Sequence, residues 1–482
     1  MNREFFLNIL FLLAVNVLIK PFFIFGIDLT VQNRVGTEQY GIYSVLLSFT
    51  FLPMILNDFG IQNFNNRHIS QHQYLFPKYF PNIFSLKIIL SAVYFIVTMT
   101  VAFALGYAQK YFNLLIFMVI NQILVSFTLY LRTNISGMAM YRWDSFASVM
   151  DKLLLIVFCS LLLWANPFAD GIFRIQDFVY AQTLAYSLSA IFALSILRPH
   201  LPKFSFRLRP IFWRLILKQS YPFALVVFLM TLYTRIDSVM LEKLLPDGNF
   251  QAGIYAACYR LLDAANMLGF LFAGLLLPMF ARMLKAGESV EPLVRFSLQL
   301  LLAAAITIAV AVISYRSELM IFQNQHATAA WGGVLGFLIA SFVAVSVSYI
   351  YGTLLTANGS LMKMNRIFVF GVLLNILLNF ILIPTQKALG AAISTCVTQF
   401  SMTILQVILS QREIKFSRPL RIWLRPLLFS ASLILISFAV TNSFINWKIG
   451  FLTILFAGFA LSLILKLLHL KELRSLLKSP TA

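Results

Sequence analysis

The sequence predicts an all-α polytopic membrane protein, and three observations carry that reading. Hydrophobic residues make up 60% of the 482 residues and charged ones only 11%, with a mean hydropathy of +0.86. A soluble domain carries about 25% charged residues, so this chain has too little polar surface to wet a globule of its size. The apolar residues come in runs of about 20, the length that crosses a hydrocarbon core as helix. Lys and Arg crowd onto alternate connections between those runs.

About fourteen spans follow one another. Span 1 (5–27) holds Lys20 directly before Pro21, where the missing N–H bends a helix, and no cleavage site follows its long apolar run. Span 2 (41–60) opens on Gly41-Ile42-Tyr43 and ends near Asp58. Spans 3 (82–106) and 4 (111–131) part around Gly106–Lys110, and Lys87 lies near the start of span 3. Spans 5 (146–165) and 6 (176–197) lead to a basic loop, 198–218. Span 7 (220–243) carries Arg235 and Asp237; span 8 (252–280) carries Arg260 and Asp263. Span 9 (293–313) holds Arg295 at its start and no other Asp, Glu, Lys or Arg, and span 10 (331–355) holds none. Span 11 (367–384) carries Asn375 and Asn379, and span 12 (388–410) carries Thr395. A second basic loop, 411–425, precedes spans 13 (427–446) and 14 (448–466), and a basic tail, 467–482, ends the chain.

Assigning the connections to alternate sides places 26 of the 37 Lys and Arg on the side of the amino terminus, 7 on the other and 4 within spans. That bias predicts both termini in the cytoplasm. Each side carries seven of the acids, so nearly all of the net charge of +20 sits on the cytoplasmic face. It is a topology signal with affinity for anionic head groups, and no nucleic acid is needed to explain it.

The two basic loops divide the spans into blocks of six, six and two. Ile27-Asp28 followed by Tyr40-Gly41-Ile42-Tyr43 recurs as Ile236-Asp237 followed by Ala252-Gly253-Ile254-Tyr255, offset by 209 residues at the aspartate and 212 at the glycine. In both copies the element ends the first span of a block and opens the second. Internal repeats of this kind are a transporter architecture, with the site at the repeat interface.

An ionisable residue within a span costs roughly 2.5–3.5 kcal/mol on insertion scales, so each implies a partner or a wet cavity. Asp58 and Lys87, near span ends, are expected to cap or snorkel. Arg235, Asp237, Arg260 and Asp263 either neutralise one another across spans 7 and 8 or line a cavity. Lys20 has no acid near it on its own span. Lys20, Arg235 and Arg260 are therefore the candidate cations for an anionic ligand, since both side chains bind phosphate oxygens by charge-assisted hydrogen bonds.

Other chemistries are poorly supported. Cys159, Cys258 and Cys396 lie in apolar runs without metal or disulfide spacing, and His68 and His72 lack a third ligand. No Walker motif is present. The outer connections are short and hold no paired carboxylates, which argues against a membrane glycosyltransferase or polymerase. No catalytic residue is assigned.

Val35-Gly36-Thr37-Glu38-Gln39-Tyr40-Gly41-Ile42-Tyr43, Asn57-Asp58-Phe59-Gly60-Ile61 with Arg67, Arg235-Ile236-Asp237, and Ala252-Gly253-Ile254-Tyr255 with Tyr259-Arg260-Leu261 resemble the Wzx-type polysaccharide flippases. These belong to the multidrug/oligosaccharidyl-lipid/polysaccharide (MOP) exporter superfamily. The resemblance implies an N-lobe (1–200), a C-lobe (214–410) forming a V with it around a central cavity, and two further helices (426–466) before the tail (467–482). It implies a multi-pass protein of the bacterial plasma (inner) membrane. The implied cargo is an undecaprenyl-pyrophosphate-linked oligosaccharide, as in polysaccharide or lipopolysaccharide biosynthesis, with a polysaccharide polymerase as a candidate partner. Lipid II and small solutes, as in multidrug antiporters, are the alternative cargoes. Asn375 and Asn379 share a face, and with Asp237 and Thr395 they offer an all-oxygen set for a small hard cation. The set resembles the sodium site of the lipid II flippase branch but has Asn379 where an acid would match, leaving Na+ and H+ both open as coupling ion.

Overall fold

The computed structural model describes residues 18–62, 65, 69, 73–165, 172–201, 209–414, 421–443 and 446–467. His68 and His72 lie outside them. Among the described residues all regular structure is helical, as the composition requires: in hydrocarbon every backbone N–H and C=O must be satisfied within its own segment.

The helices are α1 (18–35, with a π-helical turn at Phe23–Asp28), α2 (Thr37–Phe51), α3 (Met54–Asp58), α4 (Phe76–Ala104), α5 (Tyr107–Gly137), α6 (Tyr141–Trp164), α7 (Ile175–Leu197), α8 (Pro210–Leu244), α9 (Gly248–Ala286), α10 (Glu291–Ser314), α11 (Arg316–Gln323), α12 (Trp331–Ala357), α13 (Leu361–Ile414), α14 (Arg421–Thr441) and α15 (Trp447–Ile464). Eleven of them are long and apolar enough to cross a membrane. Twelve of the expected spans fall on these eleven, because α13 is two helical segments that meet at Lys387, where the backbone is not helical (φ 53°, ψ −132°), and spans 11 and 12 lie on either side of it. Span 2 is divided into α2 and α3 by a turn at Leu52-Pro53.

The chain forms two compact units, residues 1–242 and 243–482. In the first, α5 packs on α7 and α6, and α3 packs on α4. Its core at one end joins Phe76, Phe80, Ile83, Tyr130, Leu131, Ala193 and Ile216. In the second unit α12 packs on α9, α10 and α13. The last two helices, α14 and α15, pack on α10 and share its apolar cluster through Phe429, Leu433 and Ile454. Gly458 sits directly against Thr307 and Gly450 against the Tyr315 hydroxyl; small residues let membrane helices approach where no hydrophobic force drives them together.

The internal repeat has a structural counterpart. Tyr43 lies on α2, and its hydroxyl accepts from Gln182 Nε2 of α7 at 2.8 Å. Tyr255, its copy on α9, shares a 3.1 Å hydrogen bond with Thr395 of α13. Each tyrosine is thus tied to the last span of its own block of six.

Candidate functional site

The first candidate cation, Lys20, is half-buried on α1, just ahead of Pro21 and the π-helical turn Phe23–Asp28. Such turns are rare and concentrate at functional sites. Asp151, Lys152 and Arg132 act electrostatically on Lys20. The Lys152 ammonium lies 3.3 Å from Asp151 and over the rings of Phe23 and Tyr186, at 4.9 and 5.6 Å. Arg132 pairs with Asp144 at 2.9 Å. An acid in electrostatic range of Lys20 is supplied by another helix, α6, as Asp151. Lys152 and Asp151, counted with the cytoplasmic side in the charge assignment, lie in the interior of α6. The signal was present in the sequence, because both fall inside the apolar run assigned to span 5.

Asp58 and Lys87 require a larger correction. Lys87 neither snorkels nor caps: its side chain is fully buried, with Nζ 2.8 Å from Asp58 Oδ1 and 2.8 Å from Ser126 Oγ. The neighbouring Asn57 donates to the Gln122 carbonyl at 3.2 Å and accepts from Ser91 Oγ at 2.8 Å. Phe59 (φ 49°) and Gly60 (φ 73°) then turn the chain in the left-handed region. A methyl at Gly60 would stand 2.7 Å from the Ser220 carbonyl oxygen of α8, so only glycine fits. The Asn57-Asp58-Phe59-Gly60 motif is therefore a buried polar joint tying α3, α4, α5 and α8.

Arg235 stacks over the Phe51 ring at 5.0 Å, and Asp237 on the same helix is fully buried. Both belong to the first unit with Lys20; Arg260, buried at 6% exposure, and Asp263 belong to the second. Asp263 lies in electrostatic range of Tyr349 on α12.

Of the four candidate ion ligands, three lie in the second unit, where they form two hydrogen-bonded pairs. Asn379 Nδ2 donates to Asn375 Oδ1 at 3.1 Å, and Thr395 bonds Tyr255. All three are buried, at 0%, 0% and 4% exposure for Asn375, Asn379 and Thr395. These groups are neutral and offer only oxygen and amide donors and acceptors. Among the described residues no group of three His, Cys, Asp or Glu is placed to hold a metal. The three cysteines are buried and unbridged.

At the bend of α13, Lys387 bonds Asp247 at 2.9 Å, Gln251 Nε2 donates to the same carboxylate oxygen at 2.8 Å, and Gln251 Oε1 accepts from the Ala388 N–H at 3.4 Å. The Gln251 hydrogen bond and the Lys387 ammonium hold the Asp247 carboxyl below its ordinary pKa. A depressed acid stabilises the fold above the unfolded carboxylate range and loses that contribution as pH falls through its folded value. The pair is exposed, so the effect is small. Thermal stability should be flat across neutral pH, and Asp247→Asn should reduce the loss seen on acidification below about pH 4.

Residues 6–284, more than half of the chain, match the family model described as polysaccharide biosynthesis protein. The chain belongs to this family. An uncharacterized membrane protein of Methanocaldococcus jannaschii is 25% identical over 395 residues, covering 77% of this chain and 90% of that protein. Among solved structures the family member resembles an inward-facing multidrug resistance MATE family transporter of the MOP superfamily. The TM-score is 0.63 at 13% identity, over 81% of this chain and 94% of that one. It also resembles the lipid II flippase MurJ in an inward closed conformation, with a TM-score of 0.61 at 14% identity over 91% and 97%. A MOP superfamily transporter from Pyrococcus furiosus, described as having a binding pocket of reversed polarity, gives 0.58 at 12% identity over 85% and 94%. At these identities the likeness is one of fold. The chain is a multi-pass membrane protein with the MOP transporter fold.

Proposed function

We propose that this family member is a secondary-transport flippase that moves an undecaprenyl-pyrophosphate-linked oligosaccharide from the cytoplasmic to the outer leaflet of the plasma membrane by alternating access. The observation that carries the reading is the set of cations Lys20 on α1 and Arg235 and Arg260 inside helices long and apolar enough to cross a membrane, in a chain of a polysaccharide biosynthesis family. A diphosphate and its sugars cannot enter hydrocarbon bare. Three cations supply the countercharge, with the lipid tail left in the bilayer. Arg235 and Arg260 add planar donor forks that match phosphate oxygens. No bond is made or broken, so no catalytic residue is needed. Both termini face the cytoplasm, as the 26-to-7 bias requires. The driving ion is Na+ or H+, taken by Asp237 with Asn375, Asn379 and Thr395.

The test is transport in proteoliposomes without ATP, using a fluorescent lipid-diphosphate oligosaccharide and an imposed Na+ or H+ gradient. Export should follow one gradient and fall in Asp237→Asn. Movement no faster than in protein-free vesicles under either gradient would overturn the proposal. A drug substrate moved in preference to the lipid would favour an antiporter, and a lipid-linked peptidyl disaccharide moved in preference would assign lipid II as cargo.

A further inference from the structure

The basic loop before α8 leads into a surface whose construction says what binds there. Residues 198–218 contain six Lys and Arg and no acid. α8 is 35 residues long, about 52 Å at 1.5 Å per residue, whereas a hydrocarbon core of about 30 Å needs about 20 residues. Its first turns therefore stand in the head-group region.

Those turns are held rigidly by one face. Trp213 Nε1 donates to the Asn82 carbonyl of α4 at 3.1 Å, Phe212 meets Tyr79 edge-on at 5.0 Å, and Ile216 is buried in the core of the first unit. The Trp213 N–H bonds the Arg209 carbonyl at 3.0 Å, which fixes Arg209 to the helix start. The opposite face carries Ile211, Arg214, Leu215 and Lys218, spaced three and four apart so that they form one stripe. Ile211 is 88% exposed and Leu215 52% exposed, and Arg214 and Lys218 are exposed beside them. Arg209, Arg214, Lys218, Ile211 and Leu215 line an open groove of about 740 Å³. Among the described residues no carboxylate is bonded to any of the three cations.

We infer that this groove is a binding site for an anionic phospholipid of the cytoplasmic leaflet. Arg209, Arg214 and Lys218 take the phosphate, and Ile211 and Leu215 lie against the acyl chains. The occupant is a lipid because the charge and the exposed apolar side chains share one stripe. A soluble phosphate would use the cations and leave Ile211 and Leu215 in water, whereas a membrane lipid satisfies both. A rigid helix start also means that little side-chain and backbone order has to be created on binding. This site is separate from the cations assigned to the cargo, and it stands whatever the cargo is.

The test is native mass spectrometry of the detergent-purified full chain with phosphatidylglycerol, phosphatidylcholine or glycerol phosphate. The wild type should retain phosphatidylglycerol in preference to phosphatidylcholine. Arg209→Gln/Arg214→Gln/Lys218→Gln should weaken that retention by roughly fivefold for each cation removed. An equal charge removal elsewhere, Arg282→Gln/Lys285→Gln/Arg295→Gln, should leave it unchanged. Ile211→Ser/Leu215→Ser should also weaken it, with the charge intact. If the triple variant is not recovered, Arg214→Gln alone should show the single-cation step. Equal retention of the two lipids, equal loss in the control triple, or full competition by glycerol phosphate would each overturn the assignment.

Discussion

Replacing Lys87 by methionine should destabilise the protein by about 3 kcal/mol, the low end of the cost of leaving one partner of a buried ion pair uncompensated, because the Asp58 side chain keeps 17% exposure. The ammonium is fully buried and bonds both Asp58 and Ser126. Methionine fills much the same volume but leaves the Asp58 carboxylate with no countercharge among the described residues. Asp58 also accepts from the Gln62 N–H at 3.3 Å, so its charge helps hold the turn after α3 that packs against α8 at Ser220. The measurement is thermal unfolding in detergent, followed by size-exclusion of the heated sample. Lys87→Met should melt well below the wild type, and Lys87→Met/Asp58→Asn should recover most of the loss by removing the orphaned charge. Ser126→Ala should cost about 1 kcal/mol, a single hydrogen bond. A Lys87→Met protein that melts with the wild type would show that the pair contributes nothing net.

Replacing Arg260 by alanine should abolish export while leaving the protein folded and inserted. A charge-assisted hydrogen bond contributes about 1.5–3 kcal/mol, and the proposed diphosphate cargo would take more than one from an arginine fork, so the loss should exceed about 100-fold. Arg260→Lys should recover part of the activity, since the charge remains but the planar fork does not. The competing role is structural, because Arg260 and Asp263 lie three apart on one face of α9. The two roles differ in the double variant. If Arg260 only neutralises Asp263, Arg260→Ala/Asp263→Ala should restore export and the melting temperature together. If it binds cargo, the melting temperature recovers and export does not. Reconstituted transport beside thermal unfolding reads both quantities.

How much of this was legible in the sequence differs by level. The helical class, the membrane setting and the placement of nearly every span came from run length and hydropathy. Those are local properties: a segment that must satisfy its own backbone in hydrocarbon has one solution, and its length is set by the bilayer. The repeat was legible for the same reason, as a short string seen twice. Only the paired tyrosine contacts, Tyr43 with Gln182 and Tyr255 with Thr395, show what that string does.

The intramembrane charges behaved differently. Their positions could be read off the sequence, but their partners could not. Lys87 looked like a residue near a helix end, yet the ligands of its ammonium lie 29 and 39 residues away. Lys20 looked isolated because the acid that acts on it electrostatically, Asp151, is on α6. The break at Leu52-Pro53 was likewise invisible to an apolar count, which continues through it, whereas the bend at Lys387 falls in the gap that the count left between spans 11 and 12. The sequence by itself determined that this chain is a helical membrane protein with charges where hydrocarbon does not tolerate them alone. Tertiary structure decided which of those charges are spent on one another, because pairing depends on which helix faces meet, and that is set by packing among segments far apart in the chain.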